Sequence, residues 1–177
     1  MDDVFLLLFD VVSEIESNNN SNAIRYEDRF YCRLTHISVD SDKALSRISR
    51  WLGWTTFGTL RRYASFSVSR VQILVYNMYF IDGIYEYLDR FGLLPVPIPA
   101  GFAKIHEKEI FLRFLEERIP FYHRVLEDPL YLARFAKLYN GSPKYAKDLH
   151  KLISQRLGKK PYPLTALNTA IVNEFRA

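Results

Sequence analysis

Apolar residues recur at helical spacing along most of the chain, and Gly, Pro or Asn/Ser runs mark where that spacing fails. Residues 2–16 read as a short apolar helix with Asp2 and Asp3 at its positive end. The stretch Ser-Asn-Asn-Asn-Ser-Asn that follows suits a loop. Residues 24–39 fit either a strand through alternating Phe30, Cys32 and Leu34 or a continued helix, and a helix over 24–34 is expected. Ser41 and Asp42 cap a helix through Arg50, which Gly53 interrupts, and a second piece covers 54–64. The pattern then predicts one long central helix over 66–91, closed by Gly92. On it Asp82, Glu86 and Asp89 share one face, with Ile73, Asn77, Ile81, Ile84, Leu88 and Phe91 opposite.

Residues 93–101, Leu-Leu-Pro-Val-Pro-Ile-Pro-Ala-Gly, form a proline-rich extended linker. Helices follow at 103–118, 128–138, 143–157 and 164–175, two of them opened by a cap and a proline (Asp128-Pro129, Ser142-Pro143). The result is an all-α fold, an irregular bundle of about seven helices. It is expected to be a single domain over 1–177, with N-terminal helices in 1–92 and C-terminal helices in 103–177.

A chain of 177 residues with 49% apolar side chains can bury a real core. Its aromatic share of 15% suggests large contact surfaces. The net charge of +4 is too small to imply nucleic acid, but charge is segregated. Residues 1–20 hold five acids and no base, and Lys43 to Ile81 holds six bases and no acid. Cys32 is the one cysteine, so no internal disulfide forms, which fits a reducing intracellular compartment. The acidic N-terminus lacks the basic start of a secretory signal, and no run of eighteen apolar residues predicts a membrane span.

Catalytic signatures are missing from the motifs: there is no G-x-S-x-G and no glycine-rich phosphate loop. Cys32 and His36 share a helical face, but two ligands do not make a zinc site. His106-Glu107 lacks the second histidine of a zinc-protease helix, and His123 and His150 stand alone. Asp82, Glu86 and Asp89 have the spacing of paired carboxylates, but the solvent face of an amphipathic helix explains them better. No enzyme, cofactor or metal is therefore expected.

The region before the central helix is more suggestive. On one helix over 45–61, Arg47, Arg50, Trp54 and Arg61 fall in a narrow sector, with Trp51 beside them and Arg62 next in sequence. Arg with Trp suits a membrane interface, an RNA backbone with base stacking, or an acidic partner. Tyr76, Tyr79, Tyr85 and Tyr87 flank the central helix as a candidate partner interface.

The segment from Tyr79-Phe80 through Asp82, Tyr87, Arg90, Gly92-Leu93 and Pro95 resembles the conserved helix of the peroxin-eleven family. Upstream, Arg47, Arg50 and Leu52-Gly53 look like that family's basic segment, so the resemblance covers residues 47–95. It implies membrane-surface binding and remodelling by amphipathic helices, without catalysis, on a peroxisomal or related organelle.

These features together predict a non-enzymatic structural or assembly subunit of a larger, membrane-associated complex. Its expected partners are other protein subunits and anionic lipid head groups, at a mitochondrial or peroxisomal membrane. A peroxin-eleven-like remodeller and an RNA-binding module are the alternatives.

Overall fold

A computed structural model describes residues 2–53, 55–98 and 102–176. In chain order these form α1 (Asp3–Ser17), β1 (Ile24–Tyr26), α2 (Asp28–Leu34), α3 (Lys43–Leu52), α4 (Phe57–Ala64), β2 (Phe66–Val68) and β3 (Ile73–Leu74). They continue with α5 (Val75–Phe80), α6 (Asp82–Arg90), α7 (Lys104–Arg118), a 3-10 turn at Tyr122–Arg124, α8 (Pro129–Tyr139), α9 (Pro143–Leu157) and α10 (Leu164–Arg176). About 65% of the described residues are helical, so the all-α expectation is met, with more and shorter helices than about seven.

The chain divides into two compact units, one of residues 1–15 with 115–177 and one of residues 16–114. In the first, α8 packs on α9 and α10. Leu132, Ala133, Phe135, Ala136, Leu149, Ile153 and Leu167 are fully buried there. Asp128 caps α8 by accepting from Leu130 N at 2.8 Å, with Pro129 in the first turn, as its sequence predicts. Arg134 of α8 pairs with Glu174 of α10 at 2.9 Å. Phe5, Leu8, Phe9, Val11 and Val12 of α1 are buried in this unit, where Asp2 meets Tyr122 at 3.5 Å and Glu14 pairs with Arg156.

The second unit carries a three-stranded antiparallel sheet in the order β1-β2-β3. Here the predicted central helix over 66–91 is corrected. Ser-Phe-Ser-Val-Ser alternates polar and apolar residues and pairs as a strand, with Ser67 and Val68 buried. Ser69 and Gln72 then take left-handed backbone angles, φ 72° and 50°, which a right-handed helix does not admit. A second break falls at Ile81, which is extended (φ −80°, ψ 114°) between α5 and α6. Only α6 keeps the predicted amphipathic pattern, exposing Asp82, Glu86 and Asp89 and burying Ile84 and Leu88. The helix expected over 24–34 is likewise split into β1 and α2. Residues 93–98 of the linker are non-helical, with a cis Leu94–Pro95 bond, while 99–101 lie outside the described residues.

Candidate functional site

The carboxylate best placed for chemistry lies where α1 runs out. Glu16 sits in the last turn of that helix, and its side chain is only 6% exposed. After Ser17 the backbone turns through Asn18 and Asn19 at φ 52° and 62°, a conformation Asn tolerates better than most residues. An Asn20 side chain accepting from Asn22 N at 3.0 Å and an Ala23 N to Asn20 O bond at 3.1 Å complete the reversal. The asparagine run thus returns β1 against the end of α1. Arg25 of β1 then reaches Glu16, its Nη1 lying 3.5 Å from Oε2 and its Nη2 donating to the Glu16 carbonyl at 3.3 Å.

The same Nη1 lies 3.9 Å from Oε1 of Glu27, so one guanidinium faces two carboxylates. Glu27 is fixed from its other side by the buried Ser67, whose hydroxyl lies 2.9 Å from Oε1. The strand register explains this meeting, because Ser67 pairs with Arg25 across the sheet. Gln72 completes the group. Its Nε2 donates to Ala23 O at 3.0 Å and Ser69 O at 2.8 Å, leaving its Oε1 3.2 Å from the Ser67 hydroxyl. Glu16, Arg25, Glu27, Ser67 and Gln72 form one polar network on a sheet of eight residues.

None of these five was picked out by motif. The usable signal was an acid in the last turn of α1, followed by asparagines that can reverse the chain.

The residues singled out from sequence have other surroundings. Arg47 donates to Tyr79 O at 2.9 Å, pairs with Asp82 at 2.7 Å, and lies 4.1 Å from the centre of the Tyr85 ring. The hydrogen bonds of Arg47 and then of Lys43 hold the exposed Asp82 carboxyl below its ordinary range. Trp51 donates Nε1–H to Tyr85 at 3.0 Å, and Tyr76 donates to Asp42 at 2.8 Å. Tyr79 is fully buried, whereas Tyr87 meets His106 Nδ1 at 2.8 Å. Arg61 donates to Ile37 O at 2.8 Å; Arg62 is exposed; Trp54 lies outside the described residues. Arg50 joins Asp40, Ser41, Asp42, Lys43, Ser46 and Arg47 around a polar depression of about 360 Å³. The structure therefore gathers Arg47, Trp51, Tyr79 and Tyr85 where α3 meets α5 and α6, with Arg61 and Tyr87 in other contacts. Among the described residues, no group of three or more His, Cys, Asp or Glu is placed to hold a metal ion.

The chain is 31% identical over 146 residues to the endolysin of Enterobacteria phage PRD1, an alignment covering 78% of this chain and 89% of the phage protein. It belongs to that endolysin family. No family model matches it, and no solved structure does.

This kinship overturns several expectations. The chain is not a peroxin-eleven relative: the aromatic, acidic and Gly-Leu-x-Pro features of residues 79–95 arise from α5, a break, α6 and a non-helical segment instead of one conserved helix. Endolysin kinship implies an enzyme, so the non-enzymatic assembly subunit and the RNA-binding module both fall. The protein, lipid and nucleic-acid partners fall with them, as does the mitochondrial or peroxisomal membrane location. Among the described residues no helix is long and apolar enough to cross a membrane. Motif reading missed the enzyme because its candidate groups are scattered at positions 16, 25, 27, 67 and 72, and only the fold assembles them.

Proposed function

We propose that the protein degrades peptidoglycan by cleaving its glycan strand, with Glu16 as the general acid. Kinship with a phage endolysin supports the substrate class. The observation that carries the chemistry is the Glu16 carboxyl itself, shielded from water at the end of α1 yet joined through Arg25 to a second carboxylate, Glu27. The role asks Glu16 to give a proton to a leaving oxygen, the task of a general acid. Arg25 holds the two carboxyl groups of a glycosidase-like pair in one place.

In this reading Glu16 protonates the glycosidic oxygen as the bond from that oxygen to the anomeric carbon breaks. Positive charge develops on the departing sugar ring, and the anionic Glu27, held by Ser67 and Arg25, stabilises it electrostatically. A hydroxyl nucleophile closes the reaction, and its proton returns to the Glu16 carboxylate.

Digestion of purified peptidoglycan, with products identified by mass spectrometry, tests the proposal. Shortened glycan strands with intact peptide stems are expected, and Glu16→Gln should cut their release by about 10²–10⁴-fold. Cleaved stems on uncut glycan would overturn the assignment.

A further inference from the structure

Glu107 of α7 is wholly buried, although it belongs to none of the contacts made by Glu16, Arg25 or Glu27. Its Oε1 accepts the backbone N–H of Arg70 at 3.2 Å, and its Oε2 lies 2.9 Å from Arg70 Nε as an ion pair out of hydrogen-bond alignment. Arg70 stands in the β2–β3 turn, between the left-handed Ser69 and Gln72. Non-glycine residues adopt that conformation only where their surroundings enforce it. Val71 is fully buried in the same turn.

We infer that Glu107 is a positioning residue for the proposed site, clamping the β2–β3 turn so that Ser67 of β2 holds Glu27 in place. The inference rests on the assignment of the Glu16–Glu27 network as the site. The link runs from the Glu107 carboxyl to Arg70, through the turn and back along β2 to Ser67, whose hydroxyl donates to Glu27, while Gln72 Nε2 ties the turn to Ala23 O and Ser69 O. Burial pushes the Glu107 carboxyl up from its ordinary value, so the fold accepts a desolvation cost to keep this group where it is.

Glu107→Ala and Glu107→Gln separate the roles. The first removes the clamp; the second keeps an acceptor for Arg70 N–H and loses the charge. Measured below the melting temperature of each variant, kcat on purified peptidoglycan should fall about tenfold to a hundredfold for Ala and less for Gln, the scale of a sub-ångström misplacement. KM should stay within about twofold, since substrate contacts are untouched. Ser69→Gly in the Ala background should restore part of the rate, because glycine takes φ 72° unaided. Independently of activity, the Gln72 side-chain amide protons should exchange faster with solvent in both variants than in the parent.

An unchanged kcat in a folded variant, or unchanged Gln72 protection in both, would overturn the clamp. Loss of Gln72 protection alongside a parent protein that leaves glycan uncut would uphold the clamp and remove only the glycan reading. If Glu107→Ala does not fold, the rate and exchange data on Glu107→Gln decide.

Discussion

The Ser67 hydroxyl lies 2.9 Å from Oε1 of Glu27, a residue forty positions earlier in the chain. It also stands 3.2 Å from Gln72 Oε1 and 3.4 Å from Arg25 O, but it has a single proton to give. The shorter, charge-assisted bond to the carboxylate takes it.

Ser67→Ala therefore leaves Glu27 without its buried donor. The expected loss is roughly 1–3 kcal/mol of stability, the cost of unpairing a buried polar group. Activity on peptidoglycan should fall about tenfold, equivalent to about 1.4 kcal/mol in the barrier. Denaturant melts and initial rates on the purified variant check both figures, and an Ala variant with parental rates would contradict the role given to Glu27.

Glu16→Gln preserves shape while removing the donated proton. General acid catalysis is worth about 10²–10⁴-fold, and a loss on that scale is expected. The melting temperature should move by only about 2–4 °C, because the Arg25 partner is half-exposed and such pairs contribute little. Loss of activity with loss of fold would leave Glu16 a structural residue.

The Glu107 carboxyl gives a signed pH dependence. Burial raises its proton affinity above the ordinary value, against the Arg70 N–H bond and the Arg70 and Lys104 charges, which act the other way. A carboxyl that binds its proton more tightly when folded stabilises fully below its unfolded pKa of about 4.3. That contribution is lost as pH rises through the folded value. Melting temperature should thus carry a downward component through the weakly acidic range. The component should vanish in Glu107→Gln, and parallel curves for the two proteins would refute it.

Tyr63 donates to Val96 O at 2.6 Å and lies 3.3 Å from the hydroxyl of the buried Tyr79. Burial first, and then the neighbouring Tyr79, push Tyr63 far above the ordinary tyrosine range. In an alkaline titration followed by ultraviolet absorbance, Tyr63 should stay neutral until the protein unfolds. Tyr63→Phe should cost roughly 1–3 kcal/mol, since the Val96 carbonyl loses its donor. A variant as stable as the parent would show that water replaces the hydroxyl.

The C-terminal helices were legible because local chemistry decides them. Asp128-Pro129 and Ser142-Pro143 do start α8 and α9, and Gly158 ends α9 in a left-handed turn. The segment from Phe66 to Leu74 was not legible, because Val68, Val71 and Ile73 satisfy a buried strand or a buried helix equally well. Pairing with β1, a long-range fact, decided it. The network followed the same rule. Arg25 and Ser67 face each other only after strand register is set, and Glu16 approaches Arg25 only after the asparagine loop closes. The arginine and tyrosine set misled for the opposite reason. Its spacing assumed one helix over 45–61, which breaks at Gly53 between α3 and α4, and Arg47 and Tyr79 are spent on the chain's own backbone and core.

Residues 3–15 of α1 cluster with residues 115–177, while Glu16 and Ser17 at the end of the same helix belong to the intervening unit. During synthesis the apolar face of Phe5, Leu8, Phe9 and Val12 waits, uncovered, for helices made more than a hundred residues later. A nascent or prematurely ended chain cannot seat the helix that carries the proposed acid.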